Sequence, residues 1–281
     1  MRERHSHCAS LCVSVSALAS YHCRQTPEEN ESVLNFTIDV VLGLVLGTLG
    51  GLFGIGGGLI AIPVLGVLFG LDQQLAQGTA LVMVVPNVVL AIWRYHQRNR
   101  IEWRHALALA IPSLCLAIVG SSVAVALDAG RMRLIFVAFL LALAAHTLYR
   151  ALHRPSGGSG AMRHSWRWLS LLGGVAGALG GLFGVGGAVL ATPILTGVFG
   201  TSQVVAQGLS LSLALPSTSV TLATYGLHGQ VDWALGAPLA IGGLLSISLG
   251  VRLAHALPER LLKAMFSGFL ALSACLLALE V

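Results

Sequence analysis

The chain has 281 residues, of which 56% are hydrophobic and 10% charged, with a net charge of +5 and a mean hydropathy of +0.83. A water-soluble domain of this length needs far more charge to cover its surface, so the composition excludes one and indicates an integral membrane protein. The basic balance comes from arginines at the ends of apolar segments, which makes it a topology signal rather than a nucleic-acid footprint.

Residues 1–32 differ from the rest. Arg2 and Arg4 precede a serine-rich run, and Glu28, Glu29 and Glu31 close the segment. Ala17-Leu18-Ala19 has the spacing of a signal-peptidase site, but the run before it is short and polar for a signal core. The segment therefore reads as signal-like or as a disordered leader. Its Cys8, Cys12, Cys23, His5, His7 and His22 fit no standard metal-ligand spacing, and no metal or other cofactor is expected.

Apolar segments follow near residues 33–53, 58–71, 76–97, 105–127 and 131–152, and again near 166–183, 188–199, 206–228, 233–257 and 260–279. Most reach the roughly 20 residues that a bilayer crossing requires. The second series copies the first. Gly50 opens GGLFGIGGGLIAIP and Gly180 opens GGLFGVGGAVLATP, an offset of 130 residues (180 minus 50) that also pairs Gln77 with Gln207, Pro86 with Pro216, Tyr95 with Tyr225 and Trp103 with Trp233. Such register implies duplication. The expected organisation is a first transmembrane repeat over 33–152, a Gly/Ser-rich tether over 153–165 and a second repeat over 166–281.

Within the first span, Gly43, Gly47, Gly50 and Gly51 recur at close to helical spacing, as do Gly173, Gly177, Gly180 and Gly181 in its copy; packing against another helix explains both sets. The denser cluster of Gly54, Gly56, Gly57 and Gly58, with Pro63 beyond it, asks for more. These glycines lower helix propensity and open backbone angles closed to other residues, while Pro63 suits the opening turns of a new helix. The product expected is a discontinuous helix with bare N–H groups around Gly57 to Leu59. The copy, with Gly184, Gly186, Gly187, Ala188 and Pro193, places a second set around Gly187 to Val189. Uncapped helix N-termini carry partial positive charge and free donors, which suits an anion held away from water. A short, glycine-interrupted segment at matching places in two halves is also the sequence mark of a transporter's binding site.

Polar side chains near these breaks are few. Gln77 with Thr79, and Gln207 with Ser210, open a span at matching points and serve either as oxyanion donors or as helix caps. Asn87 after Pro86, and Ser217 after Pro216, either rejoin the helix ladder, bond another helix or line a cavity. Asp and Glu are missing from the middle of every span, which leaves no carboxylate proton relay, and no nucleophile, metal cluster or acid/base pair marks an enzyme.

Arg94, Arg98, Arg100 and Arg104 crowd the turn after the third span, whereas the matching turn, His228-Gly229-Gln230-Val231-Asp232, lacks Lys and Arg; Arg252, Arg260 and Lys263 bracket the next one. Equivalent turns on opposite faces imply an odd number of crossings per half and hence inverted repeats. Four crossings per half, with the short segments dipping in and back, give parallel repeats, an alternative that the charge count disfavours. The fold expected is an all-α integral membrane protein of two homologous halves, inverted, each with four full spans and one short glycine-broken segment.

The paired motifs, with Gly54, Gly56, Gly57 and Pro63 matched by Gly184, Gly186, Gly187 and Pro193, resemble those of the sulfite exporter TauE/SafE family. The stretches 76–81 and 206–211, and Tyr225, Gly229 and Val231-Asp232-Trp233, resemble it too, over about residues 33–279. The resemblance implies a carrier of sulfite, organosulfonates or similar oxyanions in the bacterial inner membrane, with the bilayer, a small anion and a second copy of the chain as candidate partners. An anion channel, or a carrier of another small organic anion, is the alternative. Departures at Thr79-Ala80, Leu209 and Ala188 bear on substrate choice.

Overall fold

The computed structural model describes residues 33–98, 102–153 and 166–279. The leader over 1–32 and the tether over 154–165 lie outside the described residues. The chain divides at Asp39 into two compact units, and the candidate site belongs to the second, Val40–Val281.

The described residues are all-helical. Ten helices follow in order: α1 Val33–Phe53, α2 Gly58–Phe69, α3 Gln73–Arg98, α4 Trp103–Ala126, α5 Ala129–His153, α6 Trp166–Phe183, α7 Ala188–Gly197, α8 Gln203–Leu227, α9 Trp233–Ala256 and α10 Glu259–Leu279. Five, namely α1, α3, α4, α5 and α9, are long and apolar enough to cross a bilayer by themselves. At 12 and 10 residues, α2 and α7 extend only about 18 and 15 Å, half of a ~30 Å hydrocarbon core. The 25 residues of α8 suffice in length, but hydroxyls from Ser210 to Thr224 dilute its hydropathy. Those of Ser212, Ser217, Thr218, Ser219, Thr221 and Thr224 bond back to carbonyls of the preceding turn, which satisfies them without water, whether they are buried like Ser217, Thr218 and Thr221 or turned outward like Ser219.

The glycine stripes do pack helices. Gly43, Gly47 and Gly51 of α1 meet the backbone of Leu239, Gly243 and Ile247 of α9, and Gly173, Gly177 and Gly181 of α6 meet Leu109, Ser113 and Ala117 of α4. A Cβ at any of these six would collide with the neighbouring main chain. Because contact positions rise together, α1 runs parallel to α9, and α6 parallel to α4.

Three more pairings relate α3, α4, α8 and α9. Gly236 meets Val82 and Gly243 meets Asn87, so α3 runs with α9; Ser113 bonds the Leu213 carbonyl and Ser121 bonds Thr224, so α4 runs with α8. By contrast, Tyr225 bonds Gln77 and Tyr95 bonds Gln207, so α3 and α8 are antiparallel. The end of α3 and the end of α9 then share one face, where the Tyr95 and His255 rings lie 5.2 Å apart. The start of α3, the end of α4 and the start of α9 share the other, joined by Gln74 Nε2 on the Leu127 carbonyl (2.9 Å) and the Asp232 N–H on Thr79 Oγ1 (3.0 Å). Arg94, Arg104 and Arg252 thus lie toward one face, and Asp128 and Asp232 toward the opposite one.

Candidate functional site

Both glycine clusters interrupt the helix where the sequence places them. After α1 ends at Phe53, Gly54, Gly56 and Gly57 take φ of 66°, 71° and 95°, and α2 begins at Gly58; after α6 ends at Phe183, Gly184, Gly186 and Gly187 take 68°, 72° and 70° before α7 begins at Ala188. Side chains other than hydrogen rarely tolerate these angles.

The interruption is sharper than a discontinuity along one axis. The Cβ direction of Gly50 points into Gly57, and that of Gly57 reaches the Leu46 carbonyl at 2.9 Å, so residue 57 lies alongside the helix that the chain has just left. Gly180, Gly187 and the Ala176 carbonyl repeat the arrangement. Gly56 and Gly58 then meet Val84 near the middle of α3, while Phe69 ends three residues before α3 begins. Each cluster is therefore a tight reversal between two helices rather than the discontinuous helix expected, and the returning helix starts deep inside the protein and leads back to the face where the next long helix begins. The helices α3 and α8 are nonetheless antiparallel, so a return of the short segments does not make the two halves parallel. Gly57 and Gly187 are structural in consequence: a larger side chain there overlaps main-chain atoms before it can affect any ligand.

The returning helices have bare N-termini. Gly57 and Gly187 are left-handed N-caps without a side-chain cap. The first ladder bonds run from Ile60 and Ala61 to the Gly57 carbonyl (3.2 and 3.0 Å), and from Ala191 to the Gly187 carbonyl (3.0 Å). The N–H groups of Gly58, Leu59, Ala188 and Val189 precede the ladder. Pro63 and Pro193 stand one turn further in and lack the N–H that would reach the Leu59 and Val189 carbonyls. The two reversals adjoin, since the Cβ position of Gly58 lies 3.7 Å from the Gly184 carbonyl oxygen, and residues 54–58 and 184–188 are buried.

The two glutamines reach these reversals crosswise, whereas Tyr95 and Asn87 bond the carbonyls around the first reversal and Tyr225 and Ser217 those around the second, each on its own stretch of chain. Gln207 lies over Gly54, donates Nε2 to the Leu52 carbonyl (3.2 Å) and accepts Tyr95 O–H on Oε1 (3.0 Å); the same hydroxyl lies 3.1 Å from the Gly51 carbonyl. Together they satisfy the orphan carbonyls at the end of α1. Gln77 lies over Gly184 and accepts Tyr225 O–H on Oε1 (2.8 Å), and that hydroxyl also lies 3.3 Å from the Leu182 carbonyl. Gln77 Nε2, however, is buried with no partner. Asn87 Nδ2 approaches the Gly56 carbonyl at 3.4 Å, leaving its Oδ1 unpaired, and Ser217 Oγ lies 3.1 Å from the Gly186 carbonyl.

Four of the expected side chains, Gln77, Gln207, Asn87 and Ser217, thus converge on the reversals. Thr79 does not: its hydroxyl accepts the Asp232 N–H and faces the turn between α8 and α9. Ser210 accepts from Thr192 Oγ1 (3.0 Å) beside α7. Tyr95 and Tyr225, fully buried, are the partners of the two glutamines, a pairing that the sequence analysis did not assign. The signal was available, because a tyrosine recurs at the same offset as the glutamine it binds.

Little space surrounds the second reversal. A cavity of about 10 Å³ beside Gly180, Phe183, Val185 and Gly187 holds at most one water. A groove of about 540 Å³ on the outer side of α6 and α7 is lined by Trp168, Val175, Val198 and other apolar residues, without a charged side chain to hold an anion.

Long apolar helices, with paired reversals buried among them and amide and hydroxyl groups placed at those reversals, are the frame of a multi-pass membrane transporter. The chain belongs to the sulfite exporter TauE/SafE family, whose model matches residues 40–277. It is similar to a probable membrane transporter protein of Methanocaldococcus jannaschii, 27% identical over 259 residues that cover 86% of this chain and 95% of the relative. It is also similar to one of Bacillus subtilis, 25% identical over 269 residues (88% and 98%), and to one of Xylella fastidiosa, 29% identical over 226 residues (76% and 81%).

Proposed function

We propose that the protein carries small sulfur-containing oxyanions, such as sulfite or organosulfonates, across the bacterial inner membrane by alternating access between two inverted homologous repeats. The observation that carries this reading is the pair of uncapped helix N-termini, at Gly57 to Leu59 and Gly187 to Val189, buried side by side where water is scarce. Two half-dipoles and their free N–H groups favour an anion without placing a full cation in the membrane. The antiparallel course of α3 and α8, whose residues match at the 130-residue offset, supports inversion of the halves. The arginine-bearing turns on one face then point to the cytoplasm.

The closed packing around the second reversal supports an occluded state, from which one half must tilt against the other to admit a solute. The chain's own contribution is a fixed set of dipoles, with Asn87 and Ser217 buttressing the carbonyls of Gly56 and Gly186 so that the turns hold their shape. The test is a thermal-shift screen of purified protein against sulfite, thiosulfate, sulfoacetate, taurine and sulfate, followed by counterflow in proteoliposomes for whatever binds. Saturable counterflow of a sulfur oxyanion is expected. Flux without saturation or counterflow would make the protein a channel, and no response to any of the five would remove this substrate class.

A further inference from the structure

The two glutamines occupy equivalent positions and yet differ in one bond. Gln207 uses both ends of its amide, whereas Gln77 has its oxygen held by Tyr225 and its Nε2 left unpaired at zero exposure. The bond that Gln207 makes to Leu52 has no counterpart from Gln77 to Leu182, whose carbonyl lies 3.3 Å from the Tyr225 hydroxyl. An amide N–H₂ buried without an acceptor costs about 1–3 kcal/mol, which a protein has no structural reason to retain at one of two duplicated sites. Gly54 lies under Gln207 as Gly184 lies under Gln77, so the two amides share a setting and differ in the bond at Nε2.

We infer that Gln77 Nε2 is the side-chain donor that takes an oxygen of the bound anion, and that Gln207, its twin, is a helix cap with no such role. The inference rests on the oxyanion reading above and narrows it: the solute is held asymmetrically, on the side of the Gly184 reversal. The adjoining N-terminus of α2, whose Gly58 lies 3.7 Å from the Gly184 carbonyl oxygen at its Cβ position, brings its bare N–H groups to the same place. Gln77 selects for a solute with an oxygen that accepts, and with Oε1 taking Tyr225 O–H it is the nitrogen that is left for the solute.

The experiment compares Gln77→Met, Gln77→Glu and Gln207→Met with the unaltered protein, measuring sulfite affinity and the melting temperature without solute. Gln77→Met gives up the Tyr225 bond but no bond at Nε2, and Tyr225 O–H can turn to the Leu182 carbonyl, so it should melt above Gln207→Met, yet bind sulfite about ten- to a hundredfold more weakly, as expected for one hydrogen bond to a charged group. Gln77→Glu keeps an acceptor for Tyr225 O–H and replaces the donor with a like charge, so its loss should be larger still. Gln207→Met should melt lower. Sulfite binding by Gln77→Met equal to that of the unaltered protein overturns the inference and leaves the oxyanion reading intact. If the unaltered protein binds no sulfur oxyanion, both fall; if Gln77→Met melts as low as Gln207→Met, the amide has an internal partner and the asymmetry is not functional.

Discussion

Replacing Tyr95 by Phe removes one oxygen from the interior while keeping the ring that packs beside His255. That oxygen is fully buried, 3.0 Å from Gln207 Oε1 and 3.1 Å from the Gly51 carbonyl, and its single proton is the only one available to either acceptor through this residue. In a water-referenced fold an abandoned buried acceptor costs about 1–3 kcal/mol. Here the reference state is an unfolded chain in lipid or detergent, which finds other partners for its polar groups, so measured coupling between buried pairs falls to about 0.6 kcal/mol on average and about 1.7 at most. A double-mutant cycle of Tyr95→Phe with Gln207→Met, read by equilibrium unfolding in mixed micelles, should therefore return a coupling energy of about 0.6–1.7 kcal/mol. The control cycle pairs Tyr95→Phe with Gln77→Met, residues on the same helix but about 27 Å apart along its axis, and should be additive within about 0.5 kcal/mol. Additivity in the first cycle would refute the crosswise capping of α1.

Gly57→Ala and Gly187→Ala should each lower the folded yield from membranes, because the left-handed angle alone costs about 1–2 kcal/mol and the added carbon meets the Leu46 or Ala176 carbonyl; normal yield and melting would show that the reversal is looser than described. Asp232→Ala should cost about 0.5–2 kcal/mol, since its carboxylate accepts the N–H groups of Ala234 and Leu235 at 3.0 and 3.1 Å as the N-cap of α9. Single cysteines at Glu102 and Pro258 should be labelled by a membrane-impermeant thiol reagent from one side, and those at Asp128 and His228 from the other; labelling of Glu102 and His228 from the same side would contradict the antiparallel course of α3 and α8.

The positions of the helices were largely legible because apolar runs in a membrane protein must form helices, and their ends are marked by Trp103, Trp166 and Trp233 or by glycine. The stripe of Gly43, Gly47 and Gly51 was likewise readable as packing, although its partner, α9 of the other half, was not. What the residues could not convey was the sense of the turn. A glycine cluster announces freedom of φ, whereas reversal depends on three left-handed residues acting together and on Gly50 and Gly57 being small enough to touch. The roles of Gln77 and Gln207 were equally hidden: in sequence both are amides at a helix start, and only the crosswise docking of the halves makes one a saturated cap and leaves the other with a spare donor. Thr79 beside Gln77 looked like part of the same set, but its hydroxyl belongs to the Asp232 turn.

The most direct test of buried paired N-termini as an anion site is the anomalous scattering of selenite, a heavier analogue of sulfite, in crystals of the liganded protein. A peak between Gly57 to Leu59 and Gly187 to Val189, within hydrogen-bond reach of Gln77 Nε2, is the expected result. Selenite bound elsewhere, with the two reversals still packed against each other, would contradict it.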